Sequence, residues 1–186
     1  MSFSDLLISA HPLLHIPGSG WESMPSQRLI KDFMRPLDQY YSIKEEEAVQ
    51  QAVRFLSKAH EEGKPACLIV VGGKASEKEI IKGFVSPTEL VFGVAADFLK
   101  GAERSGPIFW EGQLEAEFRA GAKRPVAEIM VPIKACVRDT EMLMEAVFLL
   151  NKYQVDFLPV VQKDDVVGLL HLEDILREIS RIVLKG

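Results

Sequence analysis

What this chain has little of narrows its class first. Two cysteines, Cys67 and Cys136, each lie inside an apolar run; a disulfide-stapled secreted scaffold would carry more in a shorter chain, so a reducing, cytoplasmic setting is expected. No stretch approaches the ~18 uninterrupted apolar residues that a membrane-spanning helix needs. The apolar start, Met1 to Ile16, has no positive residue before Pro12 and no small-residue cleavage pattern, so it does not read as a secretory signal. Basic charge is also scarce: 22 Lys and Arg against 27 Asp and Glu leave a net charge of -5. That balance opposes nucleic acid and anionic membrane surfaces as partners, because both are held largely by dense Lys and Arg. The four histidines, His11, His15, His60 and His171, show no paired metal-ligand spacing. No nucleophile has an adjacent base, so no catalysis is predicted. Gly73-Lys-Ala-Ser76 follows an apolar strand as a phosphate-binding loop would, but Leu68 stands where the first glycine is required, so it reads as a hairpin loop.

What is present is an ordinary globular composition carrying an internal repeat. Of the 186 residues 47% are hydrophobic and 26% charged, close to the averages of folded domains. Leu29-Ile-Lys-Asp-Phe-Met-Arg-Pro-Leu37 and Pro125-Val-Ala-Glu-Ile-Met-Val-Pro-Ile133 share one pattern. After each Met-x-Pro comes a predicted helix, with Ala48, Val49, Ala52, Val53 and Leu56 on one face of the first and Leu143, Ala146, Val147 and Leu150 on one face of the second. Asp139 or Thr140 is the expected cap of the second helix. Buried strands are predicted at Cys67–Val71 and Phe157–Val161. Each opens a hairpin, long across Gly72 to Lys78 and tight at Lys163-Asp164-Asp165, and a last helix follows. The first last helix is expected to carry Leu90, Val91, Val94 and Phe98 on one face, the second Leu172, Ile175, Leu176, Ile179 and Val183. The offset between matching residues shrinks from 96 at Met34 and Met130 to 94 at Ala52 and Ala146 and 85 at Gly83 and Gly168. Those changes fall in loops, as duplication followed by loop trimming would leave them. The organisation predicted is a leader over 1–28, a first motif over 29–99, a connector over 100–124 with a helix around Gln113 to Ala120, and a second motif over 125–186.

Two copies of Met-x-Pro, helix, apolar strand, hairpin, Gly-h-h-(Ser/Thr)-x-x-Asp and final helix resemble tandem cystathionine-β-synthase (CBS) domains, the Bateman module. The second copy carries Ala127-Glu-Ile-Met-Val-Pro132, Leu158-Pro-Val-Val161 and Gly168-Leu-Leu-His-Leu-Glu-Asp-Ile-Leu176 in the family's order. The first is degenerate, lacking the proline that matches Pro159 and ending in Gly83-Phe-Val-Ser-Pro-Thr-Glu-Leu90. The resemblance implies a mixed α/β (α+β) fold of two βαββα motifs in a pseudo-twofold pair, with AMP, ADP, ATP or S-adenosylmethionine as ligands in the clefts between them. It also implies a homodimer and a regulatory role rather than an enzymatic one, with no cofactor required. The other class of function that these residues allow is a dimerisation or docking module with degenerate clefts, whose leader and connector meet an effector protein.

The candidate site residues lie where each last helix begins, because unpaired backbone N–H groups and the positive end of the helix dipole favour phosphate there. In the first copy Ser86 offers a hydroxyl, and Glu89 offers a carboxylate able to accept from both hydroxyls of a ribose. Glu89 stands where the family has Asp, which moves the carboxylate by about 1.5 Å. Ser86-Pro-Thr-Glu89 is equally a helix capping box. In the second copy Asp174 keeps the carboxylate, and His171 replaces the family's Ser or Thr. With a reference pKa of about 6.5, His171 leads to the expectation that nucleotide binds more tightly at pH 6 than at pH 8. Ile133 and Phe157 are predicted to line an adenine slot, with Tyr40 and Tyr41 as further stacking candidates. On this reading Asp174→Ala removes ligand binding while leaving melting unchanged.

Overall fold

The computed structural model describes residues 28–73, 80–106 and 108–184. The leader up to 27 and most of the first hairpin loop, including the Lys-Ala-Ser of the rejected phosphate loop, lie outside the described residues. In chain order the elements are β1 (Arg35–Pro36), β2 (Tyr41–Lys44), α1 (Val49–Glu61), β3 (Leu68–Gly72), β4 (Ile80–Val85), α2 (Pro87–Val94), α3 (Ala96–Ser105), α4 (Gln113–Gly121), β5 (Val131–Pro132), β6 (Val137–Arg138), α5 (Leu143–Tyr153), β7 (Phe157–Gln162), β8 (Asp165–His171) and α6 (Leu172–Leu184). The fold is mixed α/β, and each repeat contributes one βαββα unit: β2-α1-β3-β4-α2 and β6-α5-β7-β8-α6.

The chain forms two compact units, each completed by a piece of the other repeat. One unit joins the segment up to Leu37 with Lys134 onward, and the other runs from Asp38 to Ile133. In the first, the sheet order is β1-β8-β7-β6; in the second it is β2-β3-β4-β5. The Met-x-Pro strand that opens each repeat therefore pairs with the other repeat's hairpin, at the sheet edge in both cases. An edge place suits the Pro at its end, since Pro36 and Pro132 have no N–H to give to a ladder.

The same exchange caps the helices. Neither α1 nor α5 has a side-chain cap: the residues before them are Ala48 and Met142. Their first N–H groups are met by remote backbone instead, Val49 N by Arg124 O at 2.8 Å and Leu143 N by Arg28 O at 2.9 Å. The expectation that Asp139 or Thr140 caps α5 is thus corrected. Each core is likewise finished from outside its repeat. Ile30, fully buried, packs with Val137, Leu143, Leu158 and Leu170, and Val126, equally buried, packs with Ile43, Val49, Leu68 and Val85. Burying one such side chain is worth about 2 kcal/mol.

Both hairpins shift register at the same point, between Val70 and Val71 and between Val160 and Val161, although their loops differ in length. The glycine beside each shift faces the exchanged strand: Gly83 pairs with Pro132 and Gly168 with Pro36. A Cβ on Gly168 would lie 2.5 Å from the Arg35 carbonyl oxygen, and one on Gly83 would lie closer still to that of Val131. Glycine is what lets the edge strand come this near.

The last helix of the first repeat departs from expectation. It breaks at Ala95, whose backbone (φ -87°, ψ 9°) ends α2 and starts α3. The single apolar face predicted for Leu90, Val91, Val94 and Phe98 is divided: Val94 is buried while Val91 is exposed.

Candidate functional site

Each last helix begins directly after a strand, and in both repeats a carboxylate in its first turn turns back onto the chain. In the second repeat His171 closes β8, α6 starts at Leu172, and Asp174 Oδ2 accepts from the His171 backbone N–H at 3.3 Å. In the first, Glu89 Oε2 accepts from the Ser86 backbone N–H at 2.8 Å, while the Ser86 hydroxyl accepts from Thr88 N at 3.2 Å and donates to Glu89. Ser86 and Glu89 thus form the predicted capping box with Pro87 in the first turn. The added methylene of Glu89 does not stop it reaching the position that Asp174 reaches.

Asp174 is almost fully buried, its side chain 3% exposed, and an arginine grips it. Arg35, on the exchanged strand β1, donates from Nε to Oδ1 at 3.0 Å and Oδ2 at 3.1 Å and from Nη2 to Oδ1 at 2.7 Å. Arg177 adds a bond from Nη1 to Oδ1 at 3.2 Å. One turn further along α6, Glu178 is buried as well, paired with Arg28 and with Arg181. Asp32, Phe33, Asp174, Arg177, Glu178 and Arg181 line a cavity of about 150 Å³. Reading the sequence did not find Arg35 or this second carboxylate. The available signals were the i,i+4 spacing of Asp174 and Glu178 on the face that also buries Ile175, and an arginine inside Met34-Arg35-Pro36 where the second copy has Val131.

His171 sits differently. Its register partner is Phe157, and the two rings lie 5.4 Å apart and tilted. It lines a separate cavity of about 310 Å³ with Asp156, Leu172, Glu173 and Leu176. Burial holds the His171 pKa below its usual value, and the Arg35 guanidinium lowers it further, outweighing the opposing pull of Asp174, Glu173 and Asp156. The ring is neutral near pH 7, and the two carboxylates beside it make its cavity a poor place for phosphate. A lowered pKa works against the expected advantage at pH 6 over pH 8, because less of the ring carries charge at pH 6 than in an unperturbed imidazole. The folded-state value lies below the unfolded one of about 6.5. The neutral ring's contribution to stability is complete above that pH and fades as pH falls through the folded value. Melting temperature should accordingly fall as pH is lowered from 6.5 to 5, and His171→Gln should fall less; the same acid sensitivity in both proteins would contradict this.

The structure brings Asp174, His171 and Phe157 together in one unit and Ser86 with Glu89 in the other. Ile133 directly follows β5, whose Pro132 pairs with Gly83 of β4. Tyr41 is committed elsewhere: its ring stacks on Phe55 at 5.6 Å, its hydroxyl donates to Glu62 at 2.7 Å, and the Lys64 ammonium lies 4.3 Å over it. Tyr40 is 8% exposed and belongs to the core. The cysteines offer no nucleophile. Both are buried; burial pushes the Cys67 thiol far up and that of Cys136 up to about 11. Among the described residues no group of His, Cys, Asp and Glu could hold a metal ion, and no helix is long and apolar enough to cross a membrane.

Comparison with known proteins finds the same fold. The profile of the CBS domain family matches residues 126–181. A crystal structure of CBSX2 in complex with AMP is 23% identical over 83% of this chain and 98% of that one, with a TM-score of 0.55. The CBS-pair protein CBSX2 from Arabidopsis thaliana is 21% identical over 84% and 97%, with a TM-score of 0.58. The cytosolic domain of the Mg2+ channel MgtE in complex with ATP is 23% identical over 81% of this chain and 48% of that one, with a TM-score of 0.53. No curated protein matches the sequence. Residues 126–181 match the CBS domain family, and the chain as a whole has the fold of a tandem CBS module.

Proposed function

We propose that this protein is a non-catalytic regulatory module that binds an adenine nucleotide or a related adenosyl ligand at its helix-start carboxylates. The observation that carries the reading is the recurrence, in two repeats of divergent sequence, of one first-turn carboxylate in one geometry: Asp174 and Glu89, each accepting from the N–H of the residue before the helix. CBS-pair structures of the same fold hold AMP and ATP. Asp174 and Glu89 would accept the ribose hydroxyls, Ser86 and neutral His171 would donate, and Phe157 and Ile133 would give apolar surface to the base. Binding would act by population shift, favouring whichever arrangement of the module holds the ligand better.

A homodimer fits the same reading. Leu172, Leu176, Ile179 and Val183 form one exposed apolar stripe along α6, with Met144 and Phe148 exposed on α5, and rows of this kind are what self-association buries. A cytoplasmic setting remains part of the proposal.

A second reading, a docking module for an effector protein, is favoured by one feature of the connector. Phe92, Phe98, Phe109, Trp110, Leu114 and Phe118 line a groove of about 450 Å³ on α2, α3 and α4, and four of them are more than half exposed. Calorimetric titration with AMP, ADP, ATP and S-adenosylmethionine separates the two. Saturable heat from at least one ligand is expected of the sensor, and silence from all four is expected of the docking module.

A further inference from the structure

We propose that the groove on α2, α3 and α4 is a binding site for a small organic cation with an apolar body. None of its lining residues belongs to the nucleotide sites, so the proposal stands independently of the nucleotide reading. Five aromatic side chains, Phe92, Phe98, Phe109, Trp110 and Phe118, line a space of about 450 Å³, within the ~300–1,000 Å³ of small-molecule pockets. Among the described residues, Glu117 is the only charged one that lines it. Glu117 is half-buried, and its side chain makes no ion pair or hydrogen bond with another described residue. Gln113, Leu114, Glu117 and Phe118 fall on one face of α4, because residues four apart are neighbours on a helix. The carboxylate therefore opens onto the aromatic lining.

The walls are held in place without a ligand. α4 packs so closely on the end of α2 that a Cβ on Gly121 would lie 2.5 Å from Val94 Cγ1 and 2.7 Å from the Val94 carbonyl oxygen. Asp97 of α3 also pairs with Arg124, just beyond α4. The chemistry of the lining then selects the ligand. A neutral apolar molecule entering the groove would strip water from the Glu117 carboxylate and give nothing back, which is costly for a charged group. An anion would be repelled. A cation supplies the missing counter-charge, and the negative faces of the aromatic rings attract it further. Its carbon groups leave water for the apolar lining at the same time, a gain that an inorganic ion cannot make, and no group of described residues here could hold a metal ion.

The test is binding to the full chain carrying Trp21→Phe, which leaves Trp110 as its single tryptophan and its emission as the report from the groove. The probes are phenyltrimethylammonium and tert-butylbenzene, which share one shape and differ by the charge. The cation is expected to bind at least about tenfold more tightly, the effect of a cation held over desolvated rings. Glu117→Gln should weaken the cation by about fivefold without weakening tert-butylbenzene. Phe109→Leu, at a ring 76% exposed, keeps an apolar wall without a π face and should lower the preference for the cation by about threefold. The ratio of the two affinities is the readout, because a substitution that merely loosened the groove would weaken both probes alike. Equal affinity for the two probes in the parent, a ratio unchanged in both variants, or no response of Trp110 to the cation would overturn the proposal. Trp110 emission that shifts to the blue with protein concentration alone would overturn it too, because a second copy of the chain would then cover the groove.

Discussion

Replacing Asp174 by alanine is expected to lower stability by about 3 kcal/mol, as well as to remove nucleotide binding at its site. The reason is not the value of the ion pair itself, which burial reduces, but what the substitution leaves behind. Arg35 would keep its charge in a place that is mostly shielded from water after losing its bidentate partner, and breaking one side of a buried pair costs about 3–5 kcal/mol. This corrects the simpler expectation from the sequence, in which Asp174→Ala spares melting. A neutral exchange of both partners, Arg35→Met with Asp174→Leu, should recover most of the loss, because apolar groups of similar size leave no charge behind. Urea denaturation of the parent, the single and the double variant checks this. A single variant within about 0.5 kcal/mol of the parent, the range of ordinary surface changes, would show that the Arg35–Asp174 contact is looser than its three hydrogen bonds imply.

The second large effect concerns the strand exchange. Gly168→Val should cost about 3 kcal/mol, the upper end for overpacking, because a side chain there meets the backbone carbonyl of Arg35 and not a side chain that can swing away. Gly83→Val should behave alike against Val131, although the two glycines belong to different units. Dislodging β1 also carries Arg35 away from Asp174, so Gly168→Val should alter nucleotide binding at that site whereas Gly83→Val should not. Ile80→Thr on the same strand as Gly83, at a side chain already half exposed, serves as the control and should change stability by less than about 0.5 kcal/mol. Equal denaturation midpoints for all three variants would contradict the close packing of the exchanged strands.

Much of this architecture is legible in the sequence because its signals are local. The apolar faces of α1 and α5, the strand runs of β3 and β7 and the box of Ser86 with Glu89 all depend on residues within one or two turns of each other, and each is found near its predicted place, although Val53 of the expected α1 face is exposed. The helix expected around Gln113 to Ala120 appears as α4. What escapes prediction is long-range. β1 and β5 are two residues each, too short for any periodicity, and their partners lie far along the chain. The caps of α1 and α5 are carbonyls of Arg124 and Arg28, which no capping preference at Asp139 or Thr140 can reveal. Arg35 follows the same logic: nothing in the local pattern Met34-Arg35-Pro36 points to its role, and the strand exchange carries it to a carboxylate 139 residues away. The break at Ala95 is of another kind, since apolar spacing runs on through Phe98 while the backbone does not.

The most direct test of the nucleotide reading is a crystal structure of the chain grown with saturating AMP. The account predicts the ribose hydroxyls within hydrogen-bond distance of the Asp174 or Glu89 carboxylate. AMP lodged away from both carboxylates, or crystals in which Arg35 still holds Asp174 and neither site contains nucleotide, would contradict it.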